Sequence, residues 1–480
     1  MTWTSCKNRP SGPGLRVLGI NPWIYDFAAF NLWSRPAGLL SCLELMRSSG
    51  CQVALLDCMH PTWRDMSWPK GREFGTGHYP KTVLPQPWAL QDIPRRYSRY
   101  GLPYAAVKKA LQQLSPGPEL ILLTSCMTYW YPGVLAMERL LRRIWPEVPL
   151  VLGGIYPSLC PEHARHSSQA DLILEGPLED QHNWQSLWQT ALGNQAKAPG
   201  IPEPGLAQDL YPSKDFSIIL GSRGCPFDCA YCASSRLYPG FAPRPAADLS
   251  RELKQELSQG ILDFAFYDDA LLHKAQQWLK PLLQELSRLK PRPRLHTPNA
   301  MHARYLQGSL PVLLRKAGLH TVRLGLETAD FGSRRDFKLC RQEWTQAVQR
   351  LYQAGFSEDQ LGAYILFGLP GQDPKEIERA ISFAHRHGVQ PILAYYSPIP
   401  GTELFEQARK HSPYPLAEEP LYQNSSIWPC YPGGFSWQER SRWQKLLQSK
   451  KTTEAWFFVS SCQAQLTLNQ QAVNKFDLGP

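Results

Sequence analysis

From Leu15 to Glu175 short apolar runs alternate with amphipathic stretches. The runs are LRVLGIN (Leu15 to Asn21), QVALLD (Gln52 to Asp57), ELILLTS (Glu119 to Ser125), PLVLGG (Pro149 to Gly154) and ADLILE (Ala170 to Glu175). Each is continuous and bounded by Gly, Pro or polar residues, which is how strands buried on both faces read. Five such strands with helical stretches between them predict one doubly wound parallel sheet. The stretch from Cys58 to Pro103 interrupts the series; it is rich in Pro, Trp, Gly and Arg and has no sustained period. A loop of that length is functional or a small subdomain, and a lid-like insertion is expected.

A Pro/Gly-rich stretch, APGIPEPGL (Ala198 to Leu206), marks a domain boundary, and a second series follows. Its runs are SIILGS (Ser217 to Ser222), LDFAFYD (Leu262 to Asp268), RLHTPN (Arg294 to Asn299), TVRLGLE (Thr321 to Glu327), LGAYILFG (Leu361 to Gly368) and PILAYYS (Pro391 to Ser397). They recur at roughly 30 residues, the length of a βα unit in a parallel barrel, so a partial barrel of six such units is predicted. The pattern weakens from Gly401, and the tail after Lys451 carries no readable motif. The expected architecture is therefore α/β throughout: a doubly wound domain over 1–200 with its insertion at 58–103, a partial (βα)6 barrel over 207–405, and a C-terminal extension over 406–480.

Composition agrees and removes some classes. At 480 residues the chain exceeds the roughly 250 to 300 at which single cores stop growing, so two large domains and a tail are expected. Hydrophobic residues at 43% and charged residues at 19% exclude a disordered chain. The net charge of +10 falls largely in short pairs such as Arg95-Arg96, Arg142-Arg143 and Arg334-Arg335, which read as solvated faces. Only Pro94 to Tyr104 (PRRYSRYGLPY) interleaves basic and aromatic residues as a nucleic-acid contact does. No run of eighteen apolar residues occurs, and MTWTSCKNRPSGPG lacks the apolar core of a signal peptide, so no membrane span and a cytoplasmic location are expected. In a reducing compartment the 12 Cys read as thiols or metal ligands in preference to disulfides.

Directly after the first strand of the second series stands Ser222-Arg223-Gly224-Cys225-Pro226-Phe227-Asp228-Cys229-Ala230-Tyr231-Cys232. Three thiolates in one loop at a strand's C-terminal end fit a 4Fe-4S cube with one iron left open for another ligand. A structural zinc site would want a fourth ligand, yet the loop holds no His and the nearest other cysteines are Cys160 and Cys340. A third reading, packed core thiols, sits poorly with three cysteines in a Gly/Pro-containing loop at the catalytic face of a barrel.

This CxxxCxxC run, with aromatic Tyr231 just before the last Cys, resembles the signature of the radical S-adenosylmethionine superfamily. The resemblance implies that Cys225, Cys229 and Cys232 hold a 4Fe-4S cluster. Its open iron would bind S-adenosylmethionine, whose reductive cleavage gives a 5′-deoxyadenosyl radical. It also implies a reducing electron donor such as a flavodoxin or ferredoxin. Other cofactor contacts belong at the C-terminal ends of successive barrel strands. Tyr267-Asp268-Asp269 sits where the family has an acidic motif, and Asp269 is assigned to the cofactor with Tyr231. Thr297-Pro298-Asn299 offers the amide of Asn299, with His302 a turn later. Gly325-Leu326-Glu327-Thr328 offers Glu327, a carboxylate at a buried strand end that needs a partner, either the cofactor or a structural ion pair with Arg323 or another barrel residue. Phe367-Gly368-Leu369-Pro370-Gly371 offers Gly368 as a close backbone approach to the adenosine.

The sheet ahead of the barrel resembles the cobalamin-binding domain of one large subgroup of the superfamily, through Trp33-Ser34-Arg35-Pro36, Met127-Thr128-Tyr129-Trp130 and Leu152-Gly153-Gly154. That implies a corrin against the strand ends where Asn21, Ser125, Thr128 and Gly154 lie. The sequence departs from the better-known cobalamin pattern, since Asp57-Cys58-Met59-His60 has the wrong spacing for an Asp-x-His-x-x-Gly loop. Cobalamin, if bound, is expected without a protein His ligand, and a domain of this fold that binds no corrin stays open. The implied chemistry is methyl transfer to, or rearrangement of, a small-molecule or natural-product-like substrate, with no catalytic residue assigned. Two other readings remain at this stage. One is a cobalamin-independent enzyme modifying RNA, although Cys6, Cys42, Cys51, Cys58, Cys126 and Cys160 are too scattered for a second cluster. The other is a non-enzymatic metal-binding module.

Overall fold

A computed structural model describes residues 1–5, 14–61, 68–332 and 339–449 of the chain. Cys6, the Arg334-Arg335 pair and the tail after Lys451 lie outside the described residues. Packing divides the chain into two units. The first takes Met1–Ile218, Tyr231–Pro239 and Ser397–Pro429, and the second takes Ile219–Ala230, Gly240–Tyr396 and Cys430–Pro480. The division departs from the expected boundaries: 207–218, Tyr231–Pro239 and 397–405 of the expected barrel pack with the first unit, and so does 406–429 of the expected C-terminal extension.

The first unit is built on a five-stranded sheet of β1 (Arg16–Asn21), β2 (Gln52–Asp57), β3 (Leu120–Ser125), β4 (Leu150–Gly154) and β5 (Leu172–Ile173). The spatial order is β5-β4-β3-β1-β2 and every neighbouring pair is parallel. Successive side chains point to opposite faces, and both faces are buried. Leu18, Ile20, Ala54, Leu56, Ile121, Leu123, Leu150 and Leu152 enter one core, with Val107 and Leu111 of helix Tyr104–Gln112 and Met137 and Leu140 of helix Tyr131–Ile144. Val17, Val53, Leu120, Leu122 and Val151 enter the other, under helices Ala37–Ser48 and Gln181–Leu192. This is the doubly wound arrangement that the continuous apolar runs imply.

The insertion is a small subdomain. Ile24–Asp26, Ser98–Tyr100 and Lys81–Val83 form an antiparallel three-stranded sheet, and Phe30–Asn31 pairs with Gly77–His78. The basic-aromatic segment is part of this sheet. Tyr97 and Tyr100 are buried, and the Arg99 guanidinium lies over the rings of Trp23 and Tyr104. Its aromatic faces are thus used within the unit. The segment Ser397–Pro429 closes onto the same region: Asn424 Nδ2 donates to buried Asp26 at 2.9 Å, Arg95 donates to the Ser426 carbonyl at 2.6 Å, and Tyr131 Oη donates to Glu419 at 3.0 Å.

The second unit carries most of the other parallel sheet, with only the last residue of its first strand. The strands are β6 (Ser217–Ile219), β7 (Asp263–Phe266), β8 (Arg294–His296), β9 (Leu319–Glu327), β10 (Leu361–Phe367) and β11 (Gln390–Tyr395), in sequential spatial order. From β7 to β11 each pair is parallel, as βα crossovers require. The helices between strands bury one stripe each; Arg341–Gln353, for example, turns in Trp344, Ala347, Val348 and Leu351. Local signals set their ends: Asp373 accepts the Lys375 N–H and Pro374 occupies the first helical position of Pro374–Arg386. Residues from Cys430 complete the unit, with Tyr431 stacked on Phe367 at 4.9 Å and Trp443 of helix Trp437–Gln448 donating to Tyr431 Oη at 3.2 Å.

Candidate functional site

The cysteine loop leaves β6 through a narrow stem. Ser222-Arg223 pairs antiparallel with Ala242-Pro243, and Arg244 N–H donates to the Gly221 carbonyl at 2.8 Å. Gly221 is required, because a Cβ there would stand 2.4 Å from the Trp278 ring. Gly224 then turns the chain at φ 75°. Cys225 and Cys229 follow, 7% and 4% exposed, with neither in a disulfide. Between them Phe227 packs on His302 at 4.7 Å and reaches Tyr305 and His273 at 6.3 Å, while Phe241 meets His273 at 4.8 Å. This aromatic and imidazole wall around the loop was invisible in sequence, since its members come from separate segments.

The strand ends of this sheet carry the other expected residues. Asn299, exposed, donates its amide to the Tyr267 carbonyl at 3.0 Å and to the Asp268 carbonyl at 3.5 Å, bridging the ends of β7 and β8. Glu327, half-buried at the end of β9, has φ 64°, and the Thr328 N–H closes back onto the Leu326 carbonyl at 2.7 Å. That is a three-residue turn in a conformation costing a non-glycine residue on the order of 1–3 kcal/mol, and such strain clusters where a side chain is aimed for function. The Glu327 carboxylate lies above Gly325, where an added Cβ would be 3.3 Å from its Oε1. Arg323, the alternative partner considered for it, donates to the carbonyls of Val322 at 3.0 Å and Gln360 at 3.4 Å. Gly368, at φ 78°, is buried under Tyr431, and its N–H donates to Gln372 Oε1 at 2.8 Å. What Gly368 contributes is the turn, with its own donor already engaged.

Of the two adjacent acids after β7, Asp269 is exposed and Asp268 is 3% exposed. Asp268 accepts from Ser222 Oγ at 2.6 Å and from the Gly221 N–H at 3.3 Å. Burial pushes its carboxyl up to about 7, against the pull of these donors. Sequence reasoning named both acids and assigned Asp269; β7 is buried at every position, so its pattern does not tell which of the two turns inward.

Cys232 and Tyr231 pack with the first unit. The Ser234 N–H points at Cys232 Sγ at 3.5 Å, with its hydroxyl at 3.3 Å, a setting suited to a ligating thiolate. Among the described residues no three His, Cys, Asp or Glu side chains stand as a ready metal cage. The loop therefore fits a three-thiolate cluster by the chemistry of its donors, three cysteines within eight residues with none in a disulfide, and not as a closed cage.

The strand ends of the first unit are engaged internally. Asn21 Nδ2 donates to Asp57 at 2.7 Å, and Asp57 also accepts from Tyr211 Oη at 2.6 Å and the Met59 N–H at 2.9 Å. Ser125 Oγ donates to the Met127 carbonyl at 3.0 Å, and Thr128 is buried. Gly154, at φ 98°, leaves no room for a Cβ beside the Ser125 backbone. Of the four expected corrin contacts, Asn21 and Ser125 thus hold the edge together, and Gly154 supplies a close backbone approach. His60 is 2% exposed against the Tyr211 ring, and burial lowers it to about 3, so it stays neutral inside the unit. A planar group at this edge would rest on the small residues Ser125 and Gly154, with no bond from buried His60.

Residues 219–384 match the family model of the radical SAM superfamily. The chain carries a radical SAM domain. That domain spans β7 to β10 with their helices and includes all three loop cysteines. An uncharacterised methyltransferase of Pyrococcus horikoshii is 28% identical over 233 residues, covering 43% of this chain and 46% of the relative. Bacteriochlorophyllide d C-12(1)-methyltransferase of Chlorobaculum tepidum is 21% identical over 289 residues, covering 54% of this chain and 60% of that one. The chain thus spans about half the length of the curated relatives it matches. Among solved structures it is similar to TsrM of Kitasatospora setae, a radical S-adenosylmethionine methyltransferase. With tryptophan substrate and a SAM analogue bound, the TM-score is 0.57 at 16% identity, over 83% of this chain and 77% of that chain. With cobalamin and a [4Fe-4S] cluster bound, it is 0.56 over 84% and 79%. The likeness shows the shared fold, an N-terminal parallel sheet ahead of the radical SAM domain. Among the described residues no helix is long and apolar enough to cross a membrane.

Proposed function

We propose that this chain is a methyltransferase acting on a small molecule, using a 4Fe-4S cluster held by Cys225, Cys229 and Cys232 to cleave S-adenosylmethionine. The observation that carries the reading is the CxxxCxxC loop itself, three cysteines outside any disulfide immediately after the first strand of the radical SAM domain's sheet. When bound, a reduced cluster supplies the electron that splits the sulfonium into methionine and a 5′-deoxyadenosyl radical. The chain's own residues bind and orient. Glu327, aimed by its strained turn, accepts hydrogen bonds from ribose hydroxyls or the ammonium of S-adenosylmethionine. Asn299 and the peptide carbonyls it holds at the end of β7 present polar groups beside it, and Asp269 adds a carboxylate. Phe227 with its His302 and Tyr305 neighbours shields the loop from water.

The methyltransferase names of the relatives and the fold shared with TsrM support methyl transfer over other radical chemistry. Cobalamin, as methyl carrier, belongs against the strand ends of the first unit. Asn21, Ser125 and Gly154 would form its floor there, and buried His60, packed on the Tyr211 ring, would not be needed as a ligand. A flavodoxin or ferredoxin is the expected class of electron donor.

The test is anaerobic reconstitution with iron and sulfide, reduction, and assay for 5′-deoxyadenosine. Wild type is expected to produce it and the Cys225→Ala protein to produce none; a wild type that takes up iron yet releases none overturns the cluster reading. Corrin absorption bands in protein reconstituted with hydroxocobalamin, and retained through gel filtration, check the cobalamin part separately.

A further inference from the structure

We infer that Asp268 is a positioning residue for the cysteine loop, setting where the cluster stands relative to the strand ends that bind S-adenosylmethionine. The inference rests on the assignment of Cys225, Cys229 and Cys232 to a cluster and goes beyond it. The side chain of Asp268 grips the stem of the loop, taking the Ser222 hydroxyl at 2.6 Å and the Gly221 N–H at 3.3 Å. The Ser222 N–H and its own N–H also face it. The main chain of the same segment takes the Asn299 amide, at the Tyr267 carbonyl (3.0 Å) and the Asp268 carbonyl (3.5 Å). One segment thus links the loop's stem to the strand end of β8. Cys225 follows Ser222 by three residues, so the stem fixes where the first thiol begins.

Two features show that this contact is specific. Three of the four groups facing the carboxylate are main-chain N–H donors and the fourth is the Ser222 hydroxyl, so an amide in its place has only that hydroxyl to take its NH2 and loses one of the two acceptor oxygens. Gly221 is the one residue type that lets the stem lie this close, with its absent Cβ 2.4 Å from Trp278 and 3.2 Å from Asp268 Oδ1. A buried carboxylate of this kind is costly unless its geometry is needed. Its grip is on the stem and not on the thiols, which makes it a positioning residue.

The test compares Ser222→Ala, Ser222→Thr and Asp268→Asn with wild type and Cys225→Ala, all reconstituted anaerobically as full chains. Iron and sulfide content, thermal melting, the EPR spectrum of the reduced cluster with and without S-adenosylmethionine, and kcat and KM for cleavage are measured. Ser222→Ala is expected to fold and hold its iron yet cleave about tenfold more slowly, the scale of one lost hydrogen bond to a charged group, with a weakened EPR response to S-adenosylmethionine. Ser222→Thr, which keeps the hydroxyl, restores both. Asp268→Asn is expected to lose more than Ser222→Ala. If the variants that hold iron match wild type in kcat, KM and EPR response, even with lower melting temperatures, Asp268 has only a structural role and the inference fails. Should Asp268→Asn not fold, the serine pair decides. A wild type that binds no cluster would defeat the cysteine assignment instead, an outcome that all the variants would share.

Discussion

The molecule contains two parallel sheets, and their C-terminal strand ends have opposite characters. In the first unit the polar residues there satisfy one another: Asn21, Tyr211 and the Met59 N–H all converge on Asp57. In the second, Asp269 and Asn299 are exposed and Glu327 is held at positive φ. The fold rule that ligands meet the carboxyl ends of parallel strands applies to both sheets. The difference teaches that an edge closed by its own hydrogen bonds offers shape and backbone, whereas one that keeps strained or exposed side chains offers chemistry.

The largest effect that would sharpen this contrast is at the cysteine loop. Replacing Cys225 with Ala should abolish 5′-deoxyadenosine formation while costing about 1 kcal/mol of stability, the ordinary scale for a small core truncation. Urea unfolding of the iron-free proteins beside the cleavage assay separates the two. A Cys225→Ala protein that still cleaves S-adenosylmethionine would break the contrast at its strongest point.

Glu327 comes next. Ala and Gly at this position both remove the carboxylate, so each should raise KM for S-adenosylmethionine about tenfold or more, the scale of a lost charged hydrogen bond. They differ in the backbone. Gly adopts φ 64° without strain, so Glu327→Gly should be about 1 kcal/mol more stable than Glu327→Ala. Equal stability in calorimetry would mean that the turn is unstrained; an unchanged KM would remove Glu327 from the cofactor site.

How much of this was legible from sequence follows the same contrast. Both sheets could be read because a strand buried on both faces leaves a continuous apolar run, and LILLTS and LGAYILF are such runs. The cysteine loop could be read because its spacing is local. Asp268 and Asp269 could not be ranked: they are adjacent, and only the fold shows which turns inward to Ser222. The hydrogen bond from Asn21 could not be read, because its partner Asp57 lies 36 residues away on a neighbouring strand. The return of Ser397–Pro429 to the first unit had no sequence signal, for Asn424 and Asp26 are 398 residues apart. Long-range polar pairs leave no period.

The closed edge makes the converse prediction. Truncating Asp57 to Ala leaves three donors facing a void, and a loss of about 3 kcal/mol in urea unfolding is expected. Cleavage of S-adenosylmethionine per folded molecule should stay at the wild-type rate. A fall in that rate matching the loss at Glu327 would show the two edges to be chemically equivalent.

The smallest visible effect is on pH dependence, because the two regions pull in opposite directions. Burial raises Asp268 to about 7, whereas an unfolded Asp titrates near 4 (about 3.9), so between these values the folded state holds a proton the unfolded chain has lost. Its contribution to stability is complete below about pH 4 and is lost as pH rises through 7. Burial lowers His60 to about 3, against about 6.5 unfolded, so there the unfolded chain holds the extra proton. That contribution is complete above about pH 6.5 and is lost as pH falls toward 3. Across their shared window each slope has a limit of about 1.4 kcal/mol per pH unit with opposite sign, so wild type should show a nearly flat contribution from the pair. Single variants uncover them. His60→Gln should leave stability falling as pH rises from 4 to 7, and Asp268→Asn should leave it rising over the same range, in urea midpoints taken at half-unit steps. Parallel profiles in the two variants would mean that the buried acid of one edge and the buried imidazole of the other do not carry the opposite charge preferences that their surroundings impose.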